Sequence, residues 1–337
     1  MNTLHVWIAV SICIGLVLCL AAGSHEAYKP IHQQKVTATT YPRAEMNTRL
    51  KDLFSTIKAT NTFHHERTHD VSASMFMGRL DTLNSFAILD TDTDPRVRFT
   101  STPGAYSSMT VYDQDHYVVG TVHASGTYEF KRKDSPSRYL LVVLRYFVKD
   151  TTDFQRVYAY QDQSIITPEG SQRLDVEEFD RRSLDEFRKT IHSRLNVTSM
   201  SRADYGARGS VDQGKHLLGT YMEIGGIPSS DMIYRIRKTP GPYPHKLRLV
   251  PPPETRDDGF WSVTVYTKDW KPMYKPNTYV NSKTVRYHPL GSVELTFTND
   301  TEDRDRNTIH VAPDNFFVFR VYRSMLPTWD IPEWARR

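Results

Sequence analysis

The chain has 337 residues, of which 39% are hydrophobic and 12% aromatic, and its 43 Lys and Arg nearly balance its 39 Asp and Glu for a formal net charge of +4. That much apolar material excludes a disordered chain, and two charge signs without blocks exclude a dedicated nucleic-acid face. The length divides more comfortably into two domains than one.

Val6 to Leu20 is almost wholly apolar and closes on the small residues Ala21, Ala22, Gly23 and Ser24, a signal-peptide layout. The run falls short of the roughly 20 apolar residues of a spanning helix. Residues 1–23 are therefore read as a signal peptide cleaved on secretion, with an uncleaved signal anchor that tethers the chain to a membrane as the alternative. Both cysteines, Cys13 and Cys19, lie in this leader. A mature chain without them has no thiolate catalysis, no thiolate metal site and no disulfide, and stands on packing alone. Export also makes the sequons at Asn196 and Asn299 candidate glycosylation sites.

Between Arg43 and Ala59, Leu50, Leu53, Phe54 and Ile57 recur at helical spacing and predict an amphipathic helix. From Asp81 the pattern turns to short β-rich runs between Gly, Pro, Asp and Ser: Ala105 to Tyr112, Tyr117 to His123, Thr127 to Lys131 and Tyr139 to Val148. These are the marks of a sandwich or a barrel. The last run has too few polar positions for a half-exposed strand, so it is predicted to be central and covered on both faces. Ser183 and Glu186 are spaced as a capping box for a second helix with Leu184, Phe187, Ile191 and Leu195 along one stripe. Beyond it, Tyr205 to Ser210 is glycine-rich and Pro240 to Pro253 proline-rich, which reads as ordered loop or linker. Strands return with Trp261, Val263 and Val265 alternating against Ser262, Thr264 and Tyr266, a pattern that predicts one buried face. Val293, Leu295 and Phe297 repeat the pattern, Phe316 to Tyr322 adds an aromatic strand, and Trp329 and Trp334 are expected to clip the tail onto the domain.

Several separated segments carry a family resemblance. Asn61 to Arg67, Asp81-Thr-Leu83, Gln114 to Tyr117 and the strand from Arg138 resemble the domain of unknown function numbered 1254. His216 to Thr220, Gly225-Gly226-x-Pro228, Asp258 to Tyr266, Gly291 to Val293, Asn307-x-Ile309 and Arg320 to Tyr322 resemble its usual partner, numbered 1214. The resemblance implies a mainly β protein of two β-sandwich domains, the first immunoglobulin-like and the second jelly-roll-like, with a few helices in the N-terminal arm and the linker. The expected division is an N-terminal sandwich over 43–175, a helical and loop connection over 176–257 and a C-terminal sandwich over 258–337. No activity comes with the resemblance. The chain also departs from the family pattern Asn-Arg-Asp-Thr-Leu-Tyr-Ser, with Leu80 in place of the Arg and Asn84 in place of the Tyr, and it has Thr308 where a Trp is usual.

The side chains that offer chemistry are His64, His65, Asp81, His116 and His216, with Asp115 beside them in sequence. Imidazole and carboxylate together bind divalent metals or run acid–base chemistry near neutral pH. Their spacing argues otherwise. His64 and His65 are adjacent and face opposite sides of a regular strand, and no His-x-His or His-Glu-x-x-His occurs. No Gly-x-Ser-x-Gly, P-loop or dinucleotide fingerprint is present, and Asp90 to Asp94 lacks the glycine and terminal glutamate of a calcium loop. The reading is an exported, non-catalytic binding or matrix and envelope protein with no cofactor. Its ligand is an extracellular glycan, small molecule or protein; nucleic acid is not a partner, a membrane only through an uncleaved leader, and oligomerisation is left open. The alternative is a hydrolase- or lyase-type enzyme that uses the His and Asp set, with or without a divalent metal.

Overall fold

The computed structural model describes residues 33–68, 79–195, 204–239, 241, 244–273 and 277–335. The leader with Cys13 and Cys19, and the Asn196 sequon, lie outside the described residues. In chain order the elements are α1 (Tyr41–Ile57), β1 (His64–His65), β2 (Thr82–Asp90), β3 (Arg96–Phe99), β4 (Ser107–Tyr112), β5 (Val118–Val122), β6 (Gly126–Glu129), β7 (Tyr139–Phe147), α2 (Phe154–Gln163) and β8 (Ile165–Thr167). Then come α3 (Arg181–His192), α4 (Gln213–Met222), β9 (Met232–Lys238), β10 (His245–Leu249), β11 (Thr255–Tyr266), β12 (Tyr279–Asn281), β13 (Val293–Thr298), β14 (Thr308–His310) and β15 (Phe316–Ser324). The protein is mainly β, with sheets of order β1-β2-β7-β4-β5, β6-β3-β8, β12-β11-β15-β9 and β10-β13-β14.

The first two sheets enclose one apolar core, in which Leu83, Leu89, Leu140, Val142 and Leu144 of the large sheet meet Val97, Phe99 and Ile166 of the small one. As its sequence predicts, β7 is central, paired with β2 and β4, and buried along its whole length. Its second face carries Leu141 and Val143 against Met46 and Leu50 of α1. The last two sheets enclose a second core built from Trp261, Val263 and Val265 with Leu247, Leu295, Phe297, Phe317 and Phe319. The tail closes this core as expected. Trp329 packs on Phe319 at 4.5 Å, Trp334 meets Phe297 at 5.1 Å, and Arg237 donates to the carbonyls of Ile331 and Pro332.

Three expectations differ from the structure. The cap of α3 is not the Ser183/Glu186 box: Asp180, three residues earlier, has the extended conformation a cap requires, and its carboxylate accepts the Ser183 N–H at 2.8 Å. Within 176–257, read as helix and loop, β9 pairs with β15 and β10 with β13. The period of β9 is hidden in the sequence because Arg235 and Arg237 share the face of Ile233 and reach out past the core, Arg237 to the tail. In α4 the sequence signal is weakened by Gly214 and Gly219, yet Gly219 is needed because a Cβ there would come within 2.8 Å of the Asp204 carbonyl. Third, β11 is buried on both faces: Phe260, Ser262, Thr264 and Tyr266 are as enclosed as Trp261. The cause is that one end of this face lies against the N-terminal half, where Phe260 meets Phe147 at 4.2 Å and Tyr106 at 5.9 Å, and Tyr266 at the other end packs with Met222 of α4. Lys35 to Arg337 accordingly pack as a single compact unit.

Candidate functional site

The face of β11 that carries Ser262 and Thr264 is continued by its neighbours. Ladder pairing sets Asn281, Ser262, Arg320 and Tyr234 in one row across β12, β11, β15 and β9, and Phe260 and Tyr322 in the row beside it. Strand alternation therefore commits a charged and hydroxyl-rich surface to the interior. Polar groups placed there must find partners, and most do.

Asp81, at the start of the β2 edge of the other half, supplies the first. Its Oδ2 accepts from Ser262 Oγ and from Tyr322 OH, both at 2.8 Å. Tyr322 OH in turn accepts from Arg79 Nη1 at 3.1 Å, and Arg79 closes on Glu223 Oε1 through Nε at 3.0 Å and Nη2 at 2.5 Å. Burial alone would pull the Arg79 guanidinium down, but the Glu223 carboxylate beside it holds it well above its usual value. The Tyr322 phenol is pushed far up by burial and then by the Asp81 carboxylate, so it stays a donor.

Two further links cross the layer. Tyr106 OH donates to Asp231 Oδ2 at 3.0 Å, and the other oxygen of Asp231 faces His123 Nε2 at 2.9 Å. Arg145 reaches Thr110 Oγ1 at 3.3 Å, Tyr112 OH at 3.4 Å and the Gly225 carbonyl. The glycine pair serves this approach: Gly225 has φ +81°, and a Cβ on Gly226 would fall 2.1 Å from the Tyr205 ring.

Arg320 is different. It is fully buried, donates to Tyr266 OH at 2.7 Å and to Thr264 Oγ1 at 3.5 Å, and lies 5.1 Å from the centre of the Tyr234 ring. Among the described residues it has no carboxylate within ion-pair distance, and its Nε has no partner. Asp81 Oδ1 is likewise buried without one.

The residues expected to offer chemistry are dispersed. His64 and His65 sit on β1 at the sheet edge, one exposed and one half-buried, as alternation requires. His65 Nδ1 is 2.8 Å from Ser85 Oγ, and burial followed by the nearby Arg67 pulls its pKa down to about 4. His116 and His216 do meet, with ring centres 6.0 Å apart. His116 Nε2 accepts from the Gly225 N–H at 2.9 Å, so its Nδ1 carries the proton and donates to Thr220 Oγ1 at 2.9 Å; burial and then His216 take its pKa down to about 3. His216 donates from Nε2 to the Asp115 carbonyl at 2.9 Å and stacks on Tyr117 at 4.0 Å. The Asp115 carboxylate is held by Arg43 at 2.7 Å and Arg208 at 2.7 Å. Asp81 is in the polar layer, apart from both histidine pairs. Among the described residues no three His, Cys, Asp or Glu side chains cluster as metal ligands. Asn299 is exposed just beyond β13.

Sequence reasoning passed over Arg79, Glu223, Asp231, Arg320 and the tyrosines around them. A usable signal existed. Arg145 is the charge inside the apolar strand Tyr139–Phe147 and Arg320 the one in the middle of Phe316–Ser324, ahead of Arg323 near its end, and a charge inside a run that is otherwise core has to meet something.

Residues 237–325 match a family described as Protein of unknown function (DUF1214). That match covers Arg320 and Ser262 and bears out the 1214 part of the resemblance over residues 237–325; nothing in these comparisons bears on the 1254 part. A search of curated proteins finds no match. Two solved structures share the fold. The VPA0106 protein from Vibrio parahaemolyticus matches with TM-score 0.65 at 16% identity over 88% of this chain and 97% of that one. A putative uncharacterized protein from Burkholderia cenocepacia matches with TM-score 0.52 at 13% identity over 85% of each chain.

Proposed function

We propose that this is an exported, non-catalytic binding protein, a matrix or envelope component, whose N-terminal half is the 1254-like partner of its 1214-like half and whose ligand is an extracellular glycan, small molecule or protein. The observation that carries the reading is the state of His116. With one ring nitrogen accepting from Gly225 and the other donating to Thr220, and with burial holding the ring neutral, it has no lone pair or proton to give a substrate. Its neighbour His216 spends its Nε2 proton on a backbone carbonyl, and its Nδ1, which has no partner among the described residues, is buried out of contact with solvent. Asn299 is the exposed candidate for glycosylation on the secretory route.

The hydrolase alternative draws its support from the 2.8 Å contact between His65 and Ser85. Ser85 is completely buried and its hydroxyl also takes a bond from Gln161, so the pair is better read as a clamp between β1 and α2. Assay of the purified chain against ester, glycoside and uronide substrates tests both readings. No turnover is expected, and turnover lost in Ser85→Ala or His116→Gln would overturn the binding reading. Sequencing the mature amino terminus tests export: cleavage near Ala21 to Ser24 is expected, and an intact Met1 in a soluble cytosolic protein contradicts it.

A further inference from the structure

Beyond β11 the chain reverses through Thr267-Lys-Asp-Trp-Lys271. Trp270 donates its N–H to the Thr267 carbonyl at 2.9 Å, Thr267 donates to the Lys271 carbonyl at 2.9 Å, and Tyr266 bridges to Pro272. This is a three-residue hairpin loop whose third position takes a left-handed backbone, the place that glycine usually fills. Here it is a tryptophan, at φ +62°. A bulky side chain seldom accepts that conformation, and a residue held in it points to a task other than turning the chain.

The neighbouring ladder places the side chain. Phe316 of β15 lies between Tyr266 of β11 and Lys238 of β9. The indole stacks on Phe316 at 4.3 Å with the ring planes 11° apart, at the rim of the apolar group of Met222, Ile236, Tyr266 and Val318. One face of the indole is thus backed by a second ring, and Trp270 as a whole is only half-buried. Beside Phe316, Lys238 Nζ meets Asp314 Oδ1 at 3.0 Å, and both of these side chains are exposed. The arrangement lies at the surface, so an occupant needs no path through the fold.

We infer that Trp270 and the Lys238–Asp314 pair form a surface site for a β-linked pyranose of a neutral glycan. The inference rests on the binding reading above and selects among its ligand classes. A pyranose with equatorial substituents has a flat face of C–H groups and a rim of hydroxyls that both donate and accept. The indole suits the face, and because Phe316 already fixes it, little freedom is lost on binding. The ion pair suits the rim, with Asp314 accepting from one hydroxyl and Lys238 donating to another. Its two charges compensate each other, which favours a neutral ligand. An apolar peptide side chain would cover the ring but desolvate the pair without replacing its bonds to water. The hairpin adds Lys268, Asp269 and Lys271, one positive charge in excess, so an acidic glycan is the rival to be separated by experiment.

Trp270→Gly sets a structural role against a binding one. Glycine fits the left-handed position without strain. If the indole serves a ligand, the melting temperature of the variant stays within about 3 °C of the parent's. If the indole serves chiefly to plug the rim above Phe316, its removal lowers the melting temperature further.

The test is calorimetric titration of the full chain with cellohexaose and with xylohexaose, against α-linked maltohexaose and the acidic hexagalacturonate. Binding of a β-linked neutral hexasaccharide is expected, with the other two weaker. Trp270→Gly should weaken it by at least about tenfold at a maintained melting temperature, and Trp270→Tyr, which keeps a ring on Phe316, should recover most of the affinity. Lys238→Met should weaken it as well. Should Trp270→Gly not fold, Lys238→Met, a change on an exposed side chain, carries the test alone. No binding of either β-linked hexasaccharide, equal or tighter binding of maltohexaose or hexagalacturonate, or affinity unaffected by these variants overturns the assignment. A glycan that binds while ignoring Trp270 and Lys238 removes this site and leaves the binding reading standing, whereas turnover of a hexasaccharide overturns the binding reading itself.

Discussion

On one face of β11, Trp261, Val263 and Val265 pack into an apolar core; on the other, Phe260 and Ser262 meet the N-terminal half, Ser262 through the Asp81 carboxylate, while Thr264 and Tyr266 accept from the Arg320 guanidinium. Exposure does not distinguish the two, since Trp261 is 2% exposed and Ser262 is 0% exposed. What differs is the kind of constraint. The apolar face is held by volume and has no preferred direction at any atom. The polar face is held by direction: each donor needs one particular acceptor, and a group left over is costly to keep. A layer of the second kind is where unpaired groups stand out, because the first kind has none to show.

The largest expected effect breaks the apolar side. Trp261→Ala should destabilise the fold by about 3–5 kcal/mol, from lost transfer energy and a cavity beneath Phe319, whose ring lies 5.4 Å away. Urea denaturation reads it, and a midpoint equal to the parent's would refute the assignment. Tyr322→Phe acts on the polar side with ring volume kept. It leaves Arg79 Nη1 with only the Met232 sulfur at 3.8 Å and removes one of the two donors on Asp81 Oδ2, at a cost of about 1–3 kcal/mol by the same measurement. A loss near zero would mean that packing alone holds the two halves together.

The smallest effect is a pH slope that the apolar side does not share. His65 and His116 have folded pKa values lowered by burial to about 4 and about 3. Unfolded, each takes up a proton near its ordinary value of about 6.5. Their contribution is therefore fully present above that pH and is lost as pH falls toward the folded values, by up to about 1.4 kcal/mol per pH unit for the buried His116 and by less for the half-exposed His65, whose charge solvent screens. Stability measured at pH 7 and at pH 5.5 should fall in the parent and fall less in His116→Gln. The penalty of Trp261→Ala should be the same at both, and a flat parent profile would contradict the buried neutral state of these rings.

The apolar side was legible in the sequence because its rule is local. Trp261, Val263 and Val265 alternate within five residues, and the unbroken run of β7 announces a strand covered on both faces. The polar side follows no local rule. Ser262, Thr264 and Tyr266 look like solvent-facing partners until the opposite half arrives, and no motif announces that Gly225 and Thr220 take up both nitrogens of His116 or that the Asp115 carbonyl takes the Nε2 proton of His216. The strand β9 was lost for a related reason: its two arginines obey alternation while violating hydropathy, since their heads reach past the core. Only the isolated charges at Arg145 and Arg320 were visible hints.

The bonds between the halves also span unusual lengths of chain. Asp81 meets Ser262 across 181 positions and Tyr322 across 241, and Arg79 reaches Tyr322 across 243. Contacts of that reach form only after the segments on either side have closed their own nearer pairings. The layer is thus expected to be absent from the rate-limiting barrier to folding, so that Tyr322→Phe speeds unfolding and leaves the refolding arm of a chevron plot in place. By the same logic, a change that tightens this layer would lengthen the lifetime of the folded chain without hastening its birth.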